Sequence, residues 1–384
     1  MHNTSHSWPL NHPQIQPKNS CRKGPNWHAI SFMPSQCSSI AHDFLALLRD
    51  GCKSQDLAQA KCIYERLRVC GLETDRVLGN RIVQLFVACG SLTDAHLVFD
   101  KLLYRNVLSW TSLISGYIEH EQFHQAFNLY HKMYEDHVLP SSYTFVALLK
   151  GCIKTRNLAK GRQFHVEALW NGFEKDPFVA TTLVDMYGKF GLLQQAQEAF
   201  DKVMVRDSAI WNAIIGGYLE HGYVVDALRC FKQMRYGVVP PDVLTFAFSL
   251  KAYGGIIGAI QEGQDIHTEI CWKGLESDTF LGNVLVDMYG KAGYVTEAHQ
   301  VFGCLMTRDV VSWTSLIAGY VEHGYGEEAL CCVKEMQREV ISLNEITFVC
   351  CLKACGLIQD SNKGLGFHCE TIKIGLSDVN AYIG

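Results

Sequence analysis

The sequence predicts an all-α fold, a superhelical solenoid of helix-turn-helix repeats, and three observations carry that expectation. The first is recurrence: "NVLSWTSLISGYIEH" at 106–120 returns as "DSAIWNAIIGGYLEH" at 207–221 and as "DVVSWTSLIAGYVEH" at 309–323. The second is that the match extends both ways into three unequal pieces, of 31, 35 and 35 to 36 residues, that follow one another in a fixed order. The third is that each piece reads as two helices, and units of this size form solenoids because a lone helix pair cannot bury its own apolar stripes.

The short pieces begin at Asp75, Asp176 and Asp278. Gly90, Gly191 and Gly293 fall just after their first stripe, where a residue of positive φ ends a helix. The standard pieces begin at Asn106, Asp207 and Asp309. In the first of them Trp110, Leu113, Ile114 and Tyr117 form one stripe and Ala126, Phe127, Leu129, Tyr130 and Met133 the other. Trp110, Trp211 and Trp313 are expected as core anchors rather than ligand platforms, and the small pairs Gly116/Ala126, Gly217/Ala227 and Gly319/Ala329 as points of close helix approach. The long pieces begin at Ser141, Asp242 and Asn344, and "DFLALLRDGC" marks an upstream relative. The resulting array runs over 40–384: 40–74 long, 75–105 short, 106–140 standard, 141–175 long, 176–206 short, 207–241 standard, 242–277 long, 278–308 short, 309–343 standard, 344–379 long and 380–384 a truncated short piece.

Composition narrows the function classes. A chain of 384 residues with 48% hydrophobic residues and nine prolines can bury a large apolar surface, and no apolar run approaches the length of a membrane span. The sixteen cysteines include no Cys-x-x-Cys pair, which reads as buried thiols in a reducing compartment. The first 42 residues contain no Asp or Glu and carry Lys18, Arg22 and Lys23, so 1–39 is expected to be a disordered organellar transit peptide. Net charge is −5, or −8 without those three cations, so the remaining chain is not globally basic. Lys101 with Arg105 and Lys202 with Arg206 form local basic clusters that could equally line a groove or cap a solvated helix end.

The unequal repeat lengths, with "SWTSLISGY", "LVDMYGKFG", "AFDKV" and "GVVPPD" at fixed places, resemble the plant pentatricopeptide repeat proteins of the PLS subfamily over 40–384. The resemblance implies a right-handed superhelix that binds single-stranded RNA, each repeat contacting one base through its fifth and last residues. The family frame starts one residue later than the pieces above. Its standard repeats then offer Thr111 with Ser141, Asn212 with Asp242 and Thr314 with Asn344; its short repeats offer Asn80 with Asn106, Thr181 with Asp207 and Asn283 with Asp309. The long repeats place Leu45, Val146, Ala247 and Val349 at the fifth position, with no polar group, and are expected to be spacers. Base stacking would fall to Val77, Phe178, Phe280 and Val311 at the second position.

The chemistry of the pairs supports this independently. All twelve residues are Asn, Thr, Ser or Asp. Helix capping explains such residues at the last position but not Asn and Thr at the fifth. An ionised Asp only accepts and suits U or G, whose ring nitrogen carries a proton; Asn can donate and suits A or C. With the family's preference for purines at Thr and pyrimidines at Asn, the array spells ?, C or U, purine, ?, G, U, ?, U, A, ?. The implied role is selection of sites for C-to-U RNA editing in a mitochondrion, or alternatively a plastid, with a deaminase or editing factor acting in trans. RNA processing or stabilisation by occupancy, and a protein-binding helical-repeat scaffold, are the alternatives. The His-x-Glu triplets at 165, 267 and 368 match half of a deaminase zinc site, but no Cys-x-x-Cys completes it, so no enzyme activity, metal or cofactor is expected. The chain ends at "NAYIG", which reads as a fragment or a truncation.

Overall fold

The computed structural model describes residues 34–373 apart from Val238 and Ile257, with side chains described from Asp43 to Ile372. The described residues form twenty α-helices and no strand. They run as consecutive hairpins: α1 (Pro34–Ser54) with α2 (Leu57–Val69), α3 (Leu78–Ala88) with α4 (Leu92–Lys101), α5 (Val107–Glu119) with α6 (Phe123–Glu135), and α7 (Ser142–Lys154) with α8 (Leu158–Trp170). Next come α9 (Pro177–Lys189) with α10 (Leu193–Asp201), α11 (Ser208–Glu220) with α12 (Val224–Tyr236), and α13 (Val243–Gly254) with α14 (Ile260–Trp272). The last are α15 (Thr279–Lys291) with α16 (Val295–Cys304), α17 (Val310–Glu322) with α18 (Gly326–Arg338), and α19 (Glu345–Leu357) with α20 (Ser361–Lys373).

Two layers result. Each odd-numbered helix packs closely against the odd-numbered helices before and after it, whereas successive even-numbered helices stand further apart and meet only through side chains, such as Phe127 with Phe164 at 5.7 Å between ring centroids and Arg235 with Glu269 at 3.2 Å. Each even-numbered helix instead packs against the odd-numbered helices on either side of it in sequence, α20 against α19 alone. The odd helices therefore form a continuous inner layer and the even helices a separated outer one.

The expected unfolded segment over 1–39 needs correction at its end, because α1 already begins at Pro34. A proline in the first turn fixes a helical φ and lacks only an N–H that would have no partner there. The rest of that segment lies outside the described residues, as do the end of the last long piece and the truncated piece at 380–384.

Local sequence explains how each hairpin is built. Short-piece first helices end where Gly90, Gly191 and Gly293 adopt φ of +74°, +71° and +84°, conformations that cost a residue with a Cβ. After Gly90, the Ser91 N–H closes back on the Phe86 carbonyl at 2.9 Å, completing the helix end. Trp110, Trp211 and Trp313 are buried, each meeting the edge of a phenylalanine from the preceding outer helix, Phe99, Phe200 or Phe302, at 4.6, 4.7 and 4.5 Å between ring centroids.

The glycine contacts differ from the expectation. Gly217 and Gly319 meet the preceding repeat: a Cβ on Gly217 would stand 3.1 Å from the Gly188 Cα, and one on Gly319 2.9 Å from the Gly290 Cα. Ala227 and Ala329 are buried but are not the atoms these glycines make room for. In the first standard repeat Val87 stands where the others have glycine, and a Cβ on Gly116 would meet its Cγ1 at 2.8 Å.

Candidate nucleic-acid interface

All six last residues cap the inner helix that follows them. Asn106 Oδ1 accepts from the Ser109 N–H at 3.0 Å, Ser141 Oγ from Thr144 at 3.4 Å, and Asp207 Oδ1 from Ile210 at 3.1 Å. Asp242 Oδ1 accepts from Thr245 at 2.9 Å, Asp309 Oδ1 from Ser312 at 2.8 Å, and Asn344 Oδ1 from Thr347 at 2.8 Å. Capping is therefore a real role at every one of these positions. In four of the six it does not consume the side chain. A cap needs an acceptor, so the oxygen of Asn106 and Asn344 must face the helix and Nδ2 must face away. That Nδ2 makes no hydrogen bond in either residue among the described residues, and the same holds for Oδ2 of Asp207 and Asp309. The spare atom is a donor in Asn and an acceptor in Asp.

The fifth residues lie deeper than a surface reading group would. Asn80, Thr111, Asn212, Asn283 and Thr314 are buried, and only Thr181 is half-buried. Their polar atoms hold the last residues in place. Asn212 Nδ2 donates to both Asp242 oxygens at 3.0 Å, and Asn283 Nδ2 donates to Asp309 Oδ1 at 3.2 Å. Asn80 Oδ1 accepts from the Asn106 N–H at 3.2 Å. The threonines act through a second hydroxyl: Thr111 meets Thr144 at 2.7 Å, and Thr144 meets Ser141 at 3.1 Å. Thr314 meets Thr347 at 3.0 Å, and Thr347 donates to Asn344 at 2.7 Å. No such link joins Thr181 to Asp207 among the described residues. The bridging residues Thr144, Thr245 and Thr347 escaped the sequence reading, although Thr three places after a Ser, Asp or Asn cap is the spacing of a capping box.

This setting tunes the carboxylates. Partial burial pushes Asp242 up, but hydrogen bonds from the Thr245 N–H, Asn212 and the Thr245 hydroxyl outweigh it and hold the carboxyl below its ordinary value. Asp309 is lowered in the same way, burial being outweighed by Ser312 and Asn283. Both are ionised at neutral pH.

Beside the caps, the second-position side chains form an exposed apolar row. Val77, Phe178, Phe280 and Val311 are each about half exposed, at 54%, 57%, 52% and 50%. The row continues through Leu108, Tyr143, Leu244 and Ile346, which the sequence reading did not single out. Tyr143 and Phe178, on successive inner helices, approach to 5.6 Å between ring centroids with planes 34° apart. The long-repeat fifth residues Leu45, Val146 and Val349 are half-buried and Ala247 is buried.

The basic clusters do not line this face. The guanidinium groups of Arg105 and Arg206 lie over the rings of Phe99 and Phe200 at 4.9 and 4.3 Å and donate to the carbonyls of the same residues. Arg105 also pairs with Asp136 at 3.2 Å, and Lys202 with Glu174 at 2.9 Å. They fasten outer helix ends. Two of the three His-x-Glu triplets are equally structural: His165 and His267 meet the Tyr187 and Tyr289 hydroxyls of the next inner helix at 2.8 and 3.0 Å, and burial lowers both imidazole pKa values. Among the described residues no group of three or more His, Cys, Asp or Glu side chains could hold a metal ion, and no helix is long and apolar enough to cross a membrane.

Two-helix units stacked in two layers, with polar caps and an apolar row along the inner layer, define an α-solenoid of helical repeats. A profile described as the PPR repeat family matches residues 105–154, 206–254 and 308–356, and the PPR repeat profile matches 178–207 and 283–310. The chain belongs to the pentatricopeptide repeat family. A chloroplastic pentatricopeptide repeat-containing protein of Arabidopsis thaliana is 35% identical over 300 residues, covering 78% of this chain and 34% of its own. A mitochondrial one is 33% identical over 293 residues, covering 76% and 46%, and a third is 34% identical over 362, covering 94% and 42%. The chain thus spans less than half the length of these relatives. The crystal structure of the maize pentatricopeptide repeat protein PPR10 in complex with an 18-nt psaJ RNA element superposes with a TM-score of 0.66 at 20% identity, covering 85% of this chain and 48% of that one. The maize protein without RNA gives 0.63 at the same identity and 85% and 47% coverage, so the shared feature is the solenoid fold.

Proposed function

We propose that the chain binds single-stranded RNA in a sequence-dependent way, each short and standard repeat reading one base. The observation that carries this reading is the division of labour within four of the six last residues. In Asn106, Asp207, Asp309 and Asn344 one terminal atom caps the helix and the other is left over, with a polarity fixed by whether the residue is Asn or Asp. An outward acceptor complements the ring N–H of U or G, and an outward donor complements the ring nitrogen of A or C. The buried fifth residue would then act on the base edge over a shorter reach and fix the angle of the last residue. The exposed apolar row supplies surfaces on which bases stack. PPR10, a solenoid of the same family, is named in complex with an RNA element.

The finer parts of the proposal follow the repeat lengths and the relatives. The alternation of short, standard and long repeats supports membership of the PLS subfamily with the boundaries given above. Relatives named as chloroplastic and mitochondrial support an organellar address, here assigned to the mitochondrion with the plastid as alternative. The role proposed is that of a recognition factor, without chemistry of its own, selecting C-to-U editing sites with a deaminase supplied in trans.

Asp207 provides the test. Its carboxylate accepts one hydrogen bond, the cap from Ile210, and Asn can make the same bond. Asp207→Asn should therefore fold normally and shift preference at the fifth base of the ten-base string from G toward A, by roughly 5- to 150-fold in relative affinity. Affinities should be compared at one fixed salt concentration. A folded variant that keeps the wild-type ratio of G to A would refute base reading at this repeat.

A further inference from the structure

The long repeats, which have no polar fifth residue, carry a cation one turn further along the same helix. Lys150, Lys251 and Lys353 each lie four residues after the aliphatic fifth residue, and Arg49 stands at the same offset from Leu45. In α7 the exposed Tyr143, the half-buried Val146 and the exposed Lys150 are spaced by three and then four residues, which puts them on one face. In α13 Leu244, Ala247 and Lys251 repeat this spacing, as do Ile346, Val349 and Lys353 in α19. The cations therefore lie on the face that carries the apolar row, about 10 Å along the helix from it.

Their electrostatic state separates them from the lysines of the short repeats. At the equivalent place the second and third short repeats have Asp185 and Asp287, each holding a lysine of its own helix, Lys189 at 2.9 Å and Lys291 at 2.7 Å, and the first has the uncharged Gln84. Lys150, Lys251, Lys353 and Arg49 are exposed and enter no ion pair or hydrogen bond among the described residues. Glu119, Glu220 and Glu322 end the standard-repeat inner helices one turn beyond this level, so attraction for an anion falls to the long-repeat helices, where Lys53 and Lys154 add to it one turn further on. The chain is net negative at −5, which makes such a row the place where a polyanion meets least repulsion.

We infer that the long repeats are phosphate-contact repeats: Arg49, Lys150, Lys251 and Lys353 bind the RNA backbone once in every three repeats, between the bases read by the short and standard repeats. This inference rests on the RNA-binding reading above and assigns the repeats that the base-reading scheme leaves as spacers.

Salt dependence tests it. For a single strand the slope of log affinity against log salt is about −0.7 for each phosphate contact. Replacing Lys150, Lys251 and Lys353 by Gln should make that slope shallower by about 2, while the G-over-A preference set by Asp207 stays as in the wild type. The control is Lys132→Gln, Lys232→Gln and Lys334→Gln together, which removes the same charge from exposed positions on the outer helices α6, α12 and α18. That variant should keep the wild-type slope. Equal slopes in wild type and the long-repeat variant, or equal flattening in the long-repeat and control variants, would overturn the phosphate assignment while leaving base reading intact. An Asp207→Asn variant with unchanged base preference removes base reading but leaves a slope change to stand as non-specific phosphate binding. A wild-type chain that binds no RNA removes both.

Discussion

The Asn212 amide donates to both oxygens of Asp242 at 3.0 Å, across the seam between two repeats, while its own oxygen accepts from the Thr245 hydroxyl at 2.7 Å. A buried side chain thus joins one hairpin to the cap of the next. Its hydrogen bonds to an ionised partner are among the stronger ones a folded chain makes.

Asn212→Ala should cost about 1.5–3 kcal/mol in urea unfolding, because it removes two bonds to a charged group and leaves a cavity beneath the cap. The loss should depend on pH. Asp242 has a folded pKa below its ordinary 3.8, so its contribution is complete well above that value and fades as pH falls through the lowered one. The stability gap between wild type and variant should therefore narrow in acid. A gap that is constant from neutral pH to pH ~2, or that widens, would contradict this account.

Glycines on the inner helices should respond to alanine with opposite signs. At Gly319 the new methyl would lie 2.9 Å from the Gly290 Cα, a backbone atom that cannot turn aside. Overpacking of that kind costs about 1–3 kcal/mol. Gly356, in α19, has nothing within 4 Å of its Cβ position, and Gly356→Ala should stabilise by about 0.5–1 kcal/mol through lower backbone entropy in the unfolded chain. Thermal melts of the two variants measure both signs.

A third outcome concerns an indole without an acceptor. Trp313 Nε1 donates to Glu339 at 3.1 Å, and Arg308 pairs with the same carboxylate at 3.2 Å. In the preceding standard repeat Trp211 Nε1 is buried without a partner, and the residue equivalent to Glu339 is Gly237, at φ −78°. Gly237→Glu should supply Trp211 and Arg206 with a carboxylate and raise stability by about 1–2 kcal/mol. Trp211→Phe in that background should then cost more than in the wild type, and equal costs in the two backgrounds would show that no bond had formed.

Much of the architecture could be read from the chain because the repeat displays each helix three times over. The stripe through Trp110, Trp211 and Trp313 needed no partner to be recognised, since indole at helical spacing with Leu and Ile is buried in nearly any packing. The partner of Gly217 was another matter. Periodicity identifies a small residue but not the helix lying across from it, and Gly188 is 29 residues earlier (217 − 188). The burial of Asn212 was hidden for a similar reason, because nothing in the sequence distinguishes an amide turned to solvent from one sealed under the next cap. The arginines could not be placed in or out of the groove because Phe99 and Phe200, the rings they cover, are themselves core residues of the outer layer. Capping by the six last residues was legible from residue type alone, and the geometry adds which atom of each makes the cap.

The inner helices pack closely on their neighbours all along the array, whereas the outer helices meet only through side chains such as Tyr130 with Glu167 and Arg235 with Glu269. Fanning the outer layer open breaks only these few side-chain contacts, whereas sliding the inner helices apart would break the packing of every seam. The molecule is therefore soft in curvature and stiff in pitch. It bends like a chain-link strap whose buckles stay at fixed intervals, so an extended ligand that coils or straightens along it keeps the same repeat opposite the same unit.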